Sequence, residues 1–184
     1  DLGLIRPHTS VAGAEPGGKT AFIAQLMNDE GRIVACDSST RRIPRLQENL
    51  RRMRVSIART FELDWTASRG VPPWGALRFD RILLDVPCSN TGVMRRRVDV
   101  RWRLGPPDFK RMPRQQLEIL HAVAPLLRPG GSLVYSTCSL EPEENEEVIA
   151  TFLRARPEFR LTDSETSLPF RDGFDGAFAA RLGL

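Results

Sequence analysis

Asp80-Arg81-Ile82-Leu83-Leu84-Asp85-Val86-Pro87-Cys88-Ser89-Asn90-Thr91-Gly92 is the stretch from which the rest of the chain is read. An apolar run, Ile82 to Leu84, delivers Asp85; a Pro, a Cys, small polar residues and a Gly follow. This pattern predicts a buried strand that ends in a loop presenting an acid and a thiol together. Leu133-Val134-Tyr135 runs into Ser136-Thr137-Cys138-Ser139 with the same grammar. Two buried strands, each delivering a Cys at its end, are the core of the reading.

Upstream, Gly13-Ala14-Glu15-Pro16-Gly17-Gly18-Lys19-Thr20 precedes an apolar pattern at Phe22, Ile23, Leu26 and Met27. A Gly-rich turn that opens a helix suits an anion or a nucleotide. Arg32 to Asp37 reads as a second strand ending in an acid, with a helix over about 41–54 beyond it, carrying Ile43, Leu46 and Leu50 on one face. A third strand is expected over Val55 to Phe61, with Asp64 just past its end. Downstream of the Pro-Cys loop, a helix over about 112–127 buries Leu117, Leu120, Val123, Ala124 and Leu127, and Arg128-Pro129-Gly130-Gly131 stops it. Ser132 to Ser136 is the fifth strand. The acids from Glu141 to Glu146 open a helix that runs to about Ala155, where acids in a first turn suit the helix dipole. Two edge strands, Phe159 to Leu161 and Ala177 to Leu182, close the chain.

Strands alternating with helices predict an α/β fold, a mostly parallel sheet with helices on both faces. Ligands in such sheets sit at the C-terminal strand ends, near the switch in strand order. The Gly13–Lys19 turn, Asp37, Asp64, Asp85 with Cys88, and Cys138 all fall at such ends.

The 184 residues suit one domain, 1–184, with a full core. No apolar run reaches the roughly 20 residues that cross a membrane, and the N-terminus has no secretion-signal pattern. The three Cys, at 36, 88 and 138, form neither a disulfide framework nor a C-x-x-C zinc pattern, so no metal and a reducing, cytoplasmic location are expected. Cys36, one residue before Asp37, reads as an inert buried thiol. The net charge of +4 comes almost wholly from Arg, with Lys only at 19 and 110. Arg95, Arg96, Arg97, Arg101, Arg103, Lys110, Arg111 and Arg114 crowd the segment after the Pro-Cys loop, a rim suited to phosphate; a solvated charged face is the alternative.

The glycine turn has two readings. Gly13-x-x-x-x-Gly18-Lys19-Thr20 fits the phosphate-binding loop of nucleotide triphosphatases, with Asp85 on the Mg²⁺ side. That loop needs backbone N–H groups turned to the phosphates, and Pro16 has none; Asp37, Asp64 and both strand-end thiols are left without a role. In the other reading the ligand is S-adenosylmethionine. The turn, Gly13 through Lys19, lets the backbone approach the methionine part, Asp37 accepts the ribose hydroxyls and Asp64 takes the adenine amino group.

Ala14-Glu15-Pro16-Gly17-Gly18-Lys19-Thr20, Asp85-Val86-Pro87-Cys88-Ser89-Asn90-Thr91-Gly92-Val93 and Tyr135 to Glu146 resemble three signature motifs of the RNA (cytosine-5) methyltransferases of the Fmu/Sun and nucleolar-protein type. Asp172-Gly173-Phe174 with Ala179-Ala180-Arg181-Leu182 is similar to that family's last motif. The resemblance spans about residues 13–182. It implies a Rossmann-like class I S-adenosylmethionine-dependent methyltransferase, acting as a monomer on rRNA or tRNA. Cys138 would be the nucleophile toward C6 of cytosine, Cys88 would assist release, and Asp85 would hold the base edge beside the methyl donor. Chemistry explains the two thiols: C5 of cytosine is a poor nucleophile until a thiolate adds at C6, and afterwards the C5 proton and the thiol must both leave. Arg95, Arg96, Arg97 and Arg101 would grip RNA phosphates.

The chain departs from the family pattern in three places. Val11 and Gly13 stand where Asp and Cys are usual, and Glu15 replaces an Ala, setting a carboxylate near that of the cofactor unless Lys19 offsets it. The family also has a longer preceding segment with an RNA-binding module, so the expectation is a catalytic domain without it. A catalytically weak RNA-binding remnant of the fold is the remaining alternative.

Overall fold

A computed structural model describes residues 8–12, 17–67 and 72–184, the first of these segments by its backbone alone. Gly13, Ala14, Glu15 and Pro16, four of the expected cofactor-turn residues, lie outside the described residues. In chain order the strands are β1 (His8–Ala12), β2 (Arg32–Asp37), β3 (Ala58–Glu62), β4 (Phe79–Asp85), β5 (Leu127–Thr137), β6 (Arg160–Ser167) and β7 (Ala177–Gly183). The α-helices are α1 (Gly18–Leu26), α2 (Ile43–Arg52), α3 (Val100–Arg103), α4 (Asp108–Val123), α5 (Glu146–Ala155) and α6 (Pro169–Asp172).

One seven-stranded sheet has the order β3-β2-β1-β4-β5-β7-β6. Strands β1 to β5 pair in parallel, and β7 runs antiparallel to both β5 and β6. The chain winds outward from β1 to β3, then returns to place β4 on the other side of β1. This reversal is the switch point where open α/β sheets bind ligands.

The sheet is covered on both faces, and β2 shows how. Ile33 and Ala35 pack with Ala21, Ile23, Ala24 and Met27 of the α1 region and Leu46 and Leu50 of α2. Val34 and Cys36 face the opposite layer, where Ile119, Leu120 and Val123 of α4 and Val148, Ile149 and Phe152 of α5 meet Ile82, Leu84, Leu133 and Tyr135. Successive strand residues point to opposite faces, so a strand covered on both sides reads as one continuous apolar run.

Four details differ from the expected pattern. Of the expected stripe in the α1 region, Ile23 and Met27 are buried, whereas Phe22 and Leu26 are exposed and Ala21 and Ala24 take their place against the sheet, where close packing favours small side chains. Strand β3 begins at Ala58 rather than Val55, because Arg54 takes φ 55° and Val55 N–H still bonds Leu50 O at the end of α2. The Pro-Gly-Gly segment is absorbed into β5, where Leu127 already pairs with Phe79 across an irregular register. Of the two closing strands only β6 lies at an edge of the sheet, since β7 sits between β5 and β6; β3 forms the opposite edge.

Candidate active site

Register brings the two thiols together. Asp85 at the end of β4 lies opposite Ser136 of β5, so Cys88 and Cys138 emerge side by side from neighbouring strands. Their Sγ atoms are 3.2 Å apart. Cys138 Sγ also donates to Asn90 Oδ1 at 3.0 Å, and Asn90 Nδ2 donates to Cys88 O at 2.9 Å. The two sulfurs share one proton relationship with unequal consequences. The hydrogen bond from Cys88 lowers the pKa of Cys138, opposed by burial and by the negative charge of Asp85. The same bond, with burial, pushes Cys88 well above the ordinary thiol range. Of the two, Cys138 is therefore the sulfur that ionises more readily, giving up the proton it donates to Asn90 Oδ1, and Cys88 the one that keeps its proton.

A buried polar network fixes both loops. Glu144 is fully buried. Its Oε2 accepts from the Ser89 backbone N–H at 2.9 Å and from Gln116 Nε2 at 2.8 Å, and its Oε1 accepts from Ser139 Oγ at 2.9 Å. Gln116 Nε2 also reaches Pro87 O at 2.9 Å, and Tyr135 OH donates to Glu144 O at 2.6 Å. Backbone contacts add to this. Gly92 N–H bonds Cys138 O, and Gly176 N–H bonds Gly92 O. A Cβ on Gly92 would fall 2.3 Å from Gly176 O, so only glycine permits this approach. The Glu144 role corrects the sequence expectation of a helix-dipole acid: the side chain turns inward from a 3₁₀ turn, Pro142–Glu144, ahead of α5.

The thiols open into a cleft of about 540 Å³ that Asp37, Asp64, Asp85, Cys88, Arg97 and Cys138 line together. Its volume falls in the range of small-molecule sites, roughly 300–1,000 Å³. Asp37, at the end of β2, is buried; it accepts Ser39 N–H at 2.8 Å, and Arg42 Nε lies 3.3 Å away. Asp64 is exposed, its carboxylate held by the N–H and hydroxyl of Thr66, which lower its pKa. Leu63, Trp65 and Ile119 supply apolar wall. At the other end Lys19 Nζ meets Asp85 Oδ2 at 2.6 Å, so Lys19 is committed to Asp85. Gly17, at φ 99°, is the residue that opens α1; a Cβ there would meet Leu46 Cδ1 at 3.0 Å. A buried carboxylate beside an apolar wall at the C-terminal strand edge suits an adenosine-bearing ligand.

Cys36 is fully buried, and burial first, then Asp37, pushes its thiol up to about 12, which agrees with an inert role. Of the rim arginines, Arg97 lines the cleft. Arg95 and Arg96 both pair with Asp175, at 2.8 and 3.0 Å, and Arg101 lies exposed on α3. Asn90, Gln116, Ser139 and the buried role of Glu144 were not assigned from sequence. Gln116 had a faint signal: it precedes Leu120 and Val123 at helical spacing, which places a polar group on a buried face.

The strand order, the acid closing β2 and the helices on both faces define the fold of the class I S-adenosylmethionine-dependent methyltransferases. The family model for the 16S rRNA methyltransferase RsmB/F matches residues 10–182, and the chain belongs to that family. The chain is 39% identical over 178 residues to ribosomal RNA small subunit methyltransferase B of Yersinia pseudotuberculosis, covering 92% of this chain and 40% of the relative. The same figures hold for the protein of that name from Yersinia pestis. The chain thus spans about two fifths of the length of these curated relatives. Among solved structures it is similar to NSun6 from Pyrococcus horikoshii with SFG, an S-adenosylmethionine analogue (TM-score 0.85, 30% identity, 96% of this chain and 47% of that one). It is also similar to a methyltransferase homolog protein from Pyrococcus horikoshii (TM-score 0.82, 29% identity, 100% of this chain and 64% of that one). Family membership sets aside the triphosphatase reading. The cleft's three carboxylates would also oppose a triphosphate. No described helix is long and apolar enough to cross a membrane.

Proposed function

We propose that this chain methylates C5 of cytosine in RNA, rRNA or tRNA, with S-adenosylmethionine as the donor and Cys138 as a covalent nucleophile. The observation that carries the reading is the 3.2 Å separation of the Cys88 and Cys138 sulfurs at the wall of a cleft that Asp37 and Asp64 also line. S-adenosylmethionine, when bound, supplies an electrophilic sulfonium methyl group. Asp37 would hold its ribose, Asp64 its adenine amino group, and the turn from Gly13 to Lys19 its methionine part.

The target base leaves its stack to enter the cleft. Asp85 holds the cytosine edge at N3 or N4, kept in place by Lys19 and by Ser136 Oγ at 3.4 Å. The Cys138 thiolate forms a bond to C6, and the electron pair of the C5–C6 double bond moves to C5, which would take the methyl group as the donor's S–CH3 bond breaks and its sulfur keeps that electron pair as a neutral thioether. A base then removes the C5 proton, the C5–C6 double bond re-forms and the Cys138–C6 bond breaks, returning a thiolate. Cys88 assists this release by donating its S–H hydrogen bond to the departing Cys138 thiolate while keeping its own proton. Arg95, Arg96, Arg97 and Arg101 hold the flanking phosphates, with Asp175 released from Arg95 and Arg96 on binding.

A monomer in a reducing cytoplasm suits this chemistry, because both thiols must stay reduced. Transfer of labelled methyl from S-adenosylmethionine to RNA, with 5-methylcytosine as the product and no transfer by Cys138→Ala, is the expected result. Labelled product at another atom, or full activity in Cys138→Ala, would refute the proposal.

A further inference from the structure

Of the three tryptophans, Trp65 and Trp74 pack against the core, whereas Trp102 is 83% exposed. It stands on α3, a short helix seated through its one buried residue, Val100. Trp102 N–H bonds Asp99 O and Arg103 bridges to Asp99 at 3.1 Å, both within the helix's own turn. A single exposed apolar ring is ordinary on a protein surface, so the surroundings of Trp102 decide its meaning.

Its surroundings indicate the occupant. Between Arg95 and Arg103 there are five arginines and one acid. Among the described residues no ion pair involves Arg97 or Arg101. Phe174, 70% exposed, precedes Asp175, the shared partner of Arg95 and Arg96, so the chain at Phe174 is tied to the start of the arginine segment. The rim adjoins the reaction cleft through Arg97, five residues from Trp102, and at about 3.6 Å per residue that separation is under about 18 Å. Aromatic faces interleaved with cations suit a single strand of nucleic acid, whose bases stack while its phosphates pair.

We propose that Trp102 and Phe174 form a stacking platform for unpaired nucleotides flanking the target base. This rests on RNA being the substrate, and it goes beyond phosphate binding by arginine. The platform holds the strand after the target base has turned out of it, replacing stacking lost inside the RNA.

The test is binding of a short unstructured RNA containing cytidine to the full chain, across a salt series, read by tryptophan fluorescence and by filter retention. Trp102→Ala is expected to weaken binding about 5- to 100-fold with an unchanged salt slope, because an aromatic ring releases no counterions. Trp102→Phe should keep most of the affinity, and Arg97→Ala should reduce the slope by about 0.7. Parental affinity in both Trp102→Ala and Phe174→Ala would overturn the platform. A change of oligomeric state in Trp102→Ala, with RNA affinity intact, would show a protein partner instead. RNA binding that depends on Trp102 without any methyl transfer would uphold the platform and refute the proposed function; methyl transfer with Trp102-independent binding would do the reverse.

Discussion

The backbone N–H of Ser89 donates to Glu144 Oε2 at 2.9 Å, tying the loop after β4 to the turn after β5. Each loop carries one of the two thiols. The separation of the sulfurs is thus set by a buried carboxylate that touches neither of them. Gln116 from α4 and Ser139 join the same carboxylate, so three elements agree on one position.

Removing that carboxylate leaves the Ser89 N–H, the Gln116 amide and the Ser139 hydroxyl short of an acceptor in a dry interior. Unsatisfied buried donors cost about 1–3 kcal/mol each, partly relieved by rearrangement. Glu144→Ala should lower unfolding stability by about 3 kcal/mol in urea with little change in slope. Glu144→Gln keeps the volume but turns an N–H toward other donors, and should lose methyl transfer more than stability. An alanine variant as stable as the parent would show that other contacts hold the loops.

The thiol pair makes a titration prediction with opposite signs. The Cys88 hydrogen bond lowers the pKa of Cys138, and the Asp85 charge raises it. Cys88→Ala should therefore move the pH midpoint for iodoacetamide alkylation of Cys138 upward. Asp85→Asn should move it downward, helped by the release of Lys19. Mass spectrometry of the alkylated peptides reads the site directly, and Cys36 should stay unmodified in the folded chain. Midpoints that shift together in one direction would contradict the geometry.

Asp37 tests the cofactor half alone. A buried carboxylate accepting ribose hydroxyls is worth about 1.5–3 kcal/mol in charge-assisted hydrogen bonds. Asp37→Ala should therefore weaken S-adenosylmethionine binding about 10- to 150-fold by calorimetry, leaving RNA affinity unchanged. Unaltered cofactor affinity would move the ribose elsewhere in the cleft.

Much of this site was legible because strand ends carry it. Asp37, Asp85 and Cys138 each follow an apolar run, and a parallel sheet brings such ends to one edge. The pairing of Cys88 with Cys138 followed from β4 and β5 being neighbours, which their Asp85–Ser136 register makes concrete. What stayed hidden depends on tertiary packing. Glu144 sits in a run of acids that reads as a solvated helix start, and only its inward turn distinguishes it from Glu143. Phe22 and Leu26 fit a helical stripe in sequence, yet the sheet surface selected the small residues beside them. Arg95 and Arg96 read as part of a phosphate-suited rim, and their pairing with Asp175 was hidden because that acid lies eighty residues away from Arg95 in the chain.

The most direct measurement is adduct trapping with Cys88→Ala in the presence of RNA and S-adenosylmethionine. Without Cys88 to assist release, the RNA should remain joined to the protein through Cys138, as a band that survives denaturing electrophoresis and a peptide carrying methylated cytidine. The adduct should vanish in the Cys88→Ala, Cys138→Ala double variant. Undiminished turnover by Cys88→Ala with no trapped RNA, or an adduct that persists without Cys138, would contradict the two-thiol mechanism.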